Sequence, residues 1–228
     1  TMLVRYLEKQ VAFVTSLIKD IKTWDDHENP YEVTKKIITE KGWINKKIGF
    51  EKSNIHISVR DYEILNAALD IDLLDGSGII EEVRTIKSPA EIEFLRKCAK
   101  LTEIGMKAGM ENLAEGKTEN QVIAKVYEAM ISAGSEYPSG NPIMTSGWKS
   151  GVPHTTYFRY KLQKGDAVLF ELGSVYNRYT SALMRSAVIG DFNPEIKLMH
   201  DICVEALEAA INKRKPGVTS GEVDEACR

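Results

Sequence analysis

Two helix-start signals in succession, followed by a change to strand-like composition, are what most constrain the fold of this chain. Ser88-Pro89-Ala90-Glu91 places an N-cap hydroxyl, a proline at the first helical position and a glutamate at the third. Together these satisfy or dispense with the free amides of a first turn. The spacing predicts a long helix with a stripe of Ile92, Leu95, Ala99, Thr102 and Met106, stopped by Gly116. Thr118-Glu119-Asn120-Gln121 repeats the signal and predicts a second helix through Val122, Val126, Met130 and Ile131, closed by Gly134. After Gly165-Asp166, the runs Ala167 to Phe170 and Tyr179 to Ile189 are rich in β-branched and aromatic residues around a turn near Tyr176-Asn177, which predicts a two-stranded ribbon. Asn193-Pro194-Glu195 then opens a helix with Ile196, Met199, Cys203, Leu207 and Ala210 along one stripe, and Ser220-Gly221-Glu222 opens a last one.

A change of periodicity near residue 86 divides the chain into domains at 1–85 and 86–228. Upstream of it, Lys47-Ile48-Gly49-Phe50-Glu51 reads as a short strand. Pro30 to Lys41 and Ser58 to Leu69 carry the helix-like spacings of Val33, Ile37 and Ile38 and of Tyr62, Leu65 and Leu69. This alternation predicts an α/β N-terminal domain, and 228 residues suffice for two cores. The net charge of -3 arises from intermixed acids and bases, so neither nucleic acid nor an anionic membrane surface is an expected partner. No apolar run approaches the roughly 20 residues needed to cross a bilayer, and the first residues lack a secretory pattern, so a cytoplasmic location is expected. The three cysteines are too scattered for a disulfide framework, and the helical patterns around Cys98 and Cys203 predict buried small hydrophobes.

Among the histidines, His27, His56 and His200 sit in settings that call for no chemistry. His154 follows Ser146-Gly147-Trp148-Lys149-Ser150-Gly151-Val152-Pro153, a loop in which proline fixes the backbone just before the imidazole. An imidazole held this way can act as a general acid or base near neutral pH. Glu171 ends the apolar run Val168-Leu169-Phe170, where a partly buried carboxylate needs a salt bridge to Arg185 or Arg178, a proton or a cation. Tyr179 offers either a hydroxyl to substrate or a packing ring. Arg185 is either Glu171's partner or a bidentate clamp for a substrate carboxylate.

The order of Ile86-Lys87-Ser88-Pro89-Ala90-Glu91-Ile92, Glu136-Tyr137-Pro138, Ser146-Gly147, Pro153-His154, Gly165-Asp166, Glu171-x-Gly173 and Arg178-Tyr179-x-x-Ala182-x-x-Arg185 resembles the creatinase, prolidase and aminopeptidase P superfamily. The resemblance implies an α/β N-terminal domain followed by the first half of an α+β pita-bread catalytic domain. The further acidic residues and histidine that complete such a site lie in the second half, so this fragment alone is expected to be inactive. The resemblance also implies a homodimer.

In metallopeptidase members an aspartate stands where this chain has Glu171, and a second stands eleven positions on, where it has Ala182. Both bridge two divalent metals, and losing one bridging ligand weakens such a site. The stretch Tyr179-Thr180-Ser181-Ala182-Leu183-x-Arg185 looks more like the metal-independent creatinase and ectoine-hydrolase-like branch. The expected function on this basis is creatinase-like hydrolysis of a C–N bond in a small nitrogenous metabolite, with no cofactor and no metal ligand. In that reading His154 and Glu171 are catalytic, and Tyr179 and Arg185 bind substrate. An Xaa-Pro peptidase acting on a dipeptide, with one or two Mn, Co or Zn ions in an altered site, is the alternative. A non-catalytic ligand-binding or dimerisation member is a third reading.

Overall fold

The computed structural model describes residues 1–228, which cluster into two compact units, Thr1–Ile86 and Lys87–Arg228. The first unit alternates strand and helix: β1 (Met2–Arg5), α1 (Lys9–Thr15), β2 (Ile21–Trp24), α2 (Pro30–Glu40), β3 (Gly49–Phe50), α3 (Val59–Leu69), β4 (Leu74–Asp75) and α4 (Ile79–Thr85). Strands β1 and β2 pair in parallel, as do β3 and β4, so helical crossovers connect them. Asn29 caps α2 through Tyr31 N, with Pro30 in the first turn, and Ser58 and Asp61 form a reciprocal capping box on α3. The strand expected over Lys47 to Glu51 is only two residues long, and β1, β2 and β4 are strands too short to show a period.

The second unit stacks two helices on an antiparallel sheet: α5 (Pro89–Glu111), α6 (Glu119–Ser132), β5 (Ile143–Ser146), β6 (Ala167–Tyr176), β7 (Tyr179–Val188), α7 (Pro194–Lys213) and α8 (Ser220–Ala226). Capping boxes at Ser88/Glu91 and Thr118/Gln121 start α5 and α6 where the sequence places them. Helix α5 stops at Glu111 rather than Gly116, because the Asn112 side chain donates to the Ala108 carbonyl (2.9 Å) and closes the last turn. Its buried face is Cys98, Leu101, Thr102, Gly105, Met106 and Gly109. The two glycines let neighbours approach: a Cβ on Gly105 would lie 2.4 Å from Met130 Cγ, and one on Gly109 3.0 Å from Val126 Cγ2.

The sheet has three strands in the order β5-β6-β7, not the two expected. Asn177 and Arg178, with φ of 48° and 65°, turn β6 into β7 through a tight left-handed hairpin. Phe170, Leu172 and Val168 on one face of β6 enter a core with Met106, Val122, Val126, Met130 and Met144. Between helix and ribbon lies a polar seam. The Thr102 hydroxyl donates to the Ser181 carbonyl (2.8 Å), the Ser174 hydroxyl to the Cys98 carbonyl (2.7 Å), and the Cys98 thiol to the Tyr179 carbonyl (3.0 Å). Cys98 is buried, and that burial raises its thiol pKa, whereas Cys203 is exposed because α7 buries none of its residues.

Candidate active site

His154 is exposed at the tip of a turn and holds φ at 60°, a left-handed conformation rare outside glycine. Beneath the loop that carries it lies a buried ion pair. Lys149 Nζ lies 2.5 Å from Glu119 Oε2, with side chains 2% and 0% exposed. Glu119 also accepts from the Ser146 hydroxyl and the Phe158 amide, each at 2.6 Å. Lys149 donates onward to the Thr156 carbonyl (3.1 Å) and sits 4.6 Å from the Phe158 ring centroid. Just downstream, the Glu119 amide donates to the Tyr160 carbonyl and the Leu162 amide to the Lys117 carbonyl, tying the end of the loop to the start of α6. A short helical turn over Gly147–Lys149 opens the loop, with Gly147 at φ 59° against the Tyr160 hydroxyl and Asp166, where a Cβ would not fit.

Glu171 lies in β6, opposite Ile143 of β5 and Met184 of β7. Directly paired antiparallel residues share a face and successive residues alternate. Ile143, Thr145, Ala182 and Met184 are therefore on Glu171's face, and Arg185, paired with Phe170, is on the other. The expected ion pair does not form: Arg185 donates to the Met184 carbonyl, and Arg178 pairs with Glu136 (2.9 Å). Glu171 is half-buried with no hydrogen-bond or ion-pair partner. The Tyr179 hydroxyl donates to Glu91 Oε1 (2.8 Å), and its ring packs 5.5 Å from Phe94. No hydrogen bond joins His154, Glu171, Tyr179 and Arg185 into one cluster.

Sequence reading missed Glu119, Lys149 and Thr145. Glu119 sat inside a capping motif and Lys149 inside a Gly/Ser loop, positions where charged residues are ordinarily solvated. Thr145 is fully buried and its hydroxyl has no partner, and the hydroxyl of the half-buried Thr156 has none either.

The Creatinase/Prolidase N-terminal domain model matches residues 1–86, and that of Metallopeptidase family M24 matches residues 93–228. The Xaa-Pro dipeptidase of Pyrococcus furiosus is 29% identical over 228 residues, covering 100% of this chain and 62% of its own length. The prolidase of Pyrococcus horikoshii superposes with a TM-score of 0.86 at 28% identity, covering 99% of this chain and 62% of that one. The ectoine hydrolase of Halomonas elongata is 24% identical over 209 residues, 87% of this chain and 52% of its own. This chain thus spans less than two thirds of the length of these relatives.

These similarities overturn the expected creatinase-like, metal-free hydrolysis. The ectoine hydrolase is the more distant relative, and the matching domain is that of a metallopeptidase family. The expectation of no cofactor falls with it, since the family favours divalent metal. Within this chain, however, no group of three His, Cys, Asp or Glu side chains is placed to hold a metal ion. On Glu171's face the cross-strand neighbours Ala182 and Met184 offer no oxygen. The residues present therefore do not fit a metal centre by themselves, Glu171 being a single carboxylate donor.

Proposed function

The chain belongs to Metallopeptidase family M24, with a creatinase/prolidase-type N-terminal domain and part of a pita-bread catalytic domain, and from that premise we propose that the whole protein is a metal-dependent Xaa-Pro dipeptidase. The likeness to the Pyrococcus furiosus enzyme along all 228 residues carries this reading. In it, His154 is the proton-transfer group. The amine of a cleaved peptide leaves readily only when protonated, and an exposed imidazole on a fixed loop can deliver that proton. Glu171, unpaired on the sheet face, supplies a carboxylate that orients a cationic group. Arg185, exposed on the opposite face, and Tyr179, half-buried with its hydroxyl donating to Glu91, are proposed as substrate contacts.

The full-length protein should hydrolyse Xaa-Pro dipeptides, lose that activity on chelation and regain it when Mn, Co or Zn is returned. Hydrolysis unaffected by exhaustive chelation, or no cleavage of any Xaa-Pro dipeptide in the presence of these ions, would overturn the proposal. His154→Ala should lower kcat by roughly 100-fold, at the lower end of what proton transfer contributes.

A further inference from the structure

We infer that the buried Glu119–Lys149 ion pair is a clamp whose function is to position His154. The pair sits inside the protein, yet what it touches is almost entirely the loop. Glu119 is in the first turn of α6 and accepts from Ser146 and Phe158, residues on either side of the histidine. Lys149 reaches across the excursion to the Thr156 carbonyl (3.1 Å), so one side chain closes the ring of residues 149–156, which contains His154. The excursion has little else to hold it. The Ser150 amide donates to the Gly147 carbonyl, the Val152 amide to the Lys149 carbonyl, and the Thr155 hydroxyl to the Val152 carbonyl, while Gly151 to His154 are exposed.

Two charges taken out of water are costly unless their geometry and hydrogen bonds are good, and a packed apolar pair often does as well for stability. A charged pair does something an apolar pair cannot, which is to fix loop carbonyls and amides by direction. Glu119 holds the Ser146 hydroxyl with Oε1 and the Phe158 amide with Oε2, and Lys149 holds the Thr156 carbonyl. Because a misplacement of about 1 Å can cost about 100-fold in rate, the clamp matters for reactivity at His154. Glu119 and Lys149 are positioning residues and touch no substrate. This inference rests on the role assigned to His154 above.

The test uses the full-length protein with the variants Glu119→Gln, Lys149→Met and Lys149→Arg. Glu119→Gln and Lys149→Met should lower kcat by about 100-fold with KM changed less than about threefold, and Lys149→Arg, which keeps the charge, should restore most of the rate. In wild type, the amides of Val152, His154 and Thr155 should show order parameters near 0.85 although Val152 and His154 are exposed. The His154 ring should give one sharp Cε1 resonance that broadens or splits in the two charge-removing variants. Values below about 0.6 in wild type would sink the clamp, whether or not the variants fold. Folded variants with an unchanged His154 resonance and kcat within about threefold of wild type would do the same. Order parameters and ring resonance are read without substrate. A wild-type protein that cleaves no Xaa-Pro dipeptide therefore counts against the proposed function alone.

Discussion

The Thr145 side chain is enclosed on Glu171's face of the sheet, and its hydroxyl has given up water without gaining a partner. An unsatisfied buried hydroxyl costs about 1–3 kcal/mol, and an apolar group of the same shape is free of that cost. Thr145→Val should therefore raise unfolding stability by about 1 kcal/mol, read as a higher denaturant midpoint at unchanged slope; a lower midpoint would mean that the hydroxyl does have a partner. Lys149→Met works in the opposite direction, because it strands Glu119 as a buried charge, and should cost about 3–5 kcal/mol. At this scale the sequence was least informative. His154 was legible because a proline and a Gly/Ser-rich loop frame it. Glu119 and Lys149 were not, because their burial depends on a contact between residues thirty apart.

Helix α5 shows what an element's own sequence can and cannot state. Its start at Ser88 was readable, since capping is a local exchange of hydrogen bonds over four residues. Its buried face was only partly so, because Gly105 and Gly109 carry no hydrophobic signal, although they permit the close approach of Met130, Val126 and Phe170. Gly105→Ala should overpack that seam and destabilise by about 1–3 kcal/mol despite alanine's better helix propensity, which thermal unfolding of the variant would show. Strand β5 was missed because four residues, Ile143 to Ser146, are too few for a period, and its register comes from β6.

The same helix predicts a pH response. Glu91 accepts from the Ser88 amide and hydroxyl and from the Tyr179 hydroxyl, which lower its carboxyl from 4.5 to about 2. Between those two values the unfolded chain binds more protons than the folded one. The stabilisation is thus complete above pH 4.5 and fades as pH falls toward 2. Melting temperatures of wild type and Glu91→Gln should converge across this range, and parallel curves would refute the assignment.

For the molecule as a whole, the order of elements was legible because the second unit is built largely from neighbours in sequence: α5 against α6, and β6 against β7. The fate of the α7 stripe was not, because periodicity states which residues share a face and not what covers it. Of that stripe Met199 and Leu207 are more than half exposed, and Leu198, Ile202 and Ile211 elsewhere on the helix are as well. Exposed apolar surface of that kind binds hydrophobic dyes and promotes association. The 228-residue chain should accordingly enhance 8-anilinonaphthalene-1-sulfonate fluorescence and sediment as concentration-dependent oligomers. The double variant Met199→Glu/Leu207→Glu, which places two charges on the stripe without touching a buried side chain, should reduce both signals and leave the melting temperature nearly unchanged. Dye binding that survives the double variant would place the responsible surface elsewhere, with the exposed Val11, Val14 and Leu17 of the first unit the next to test.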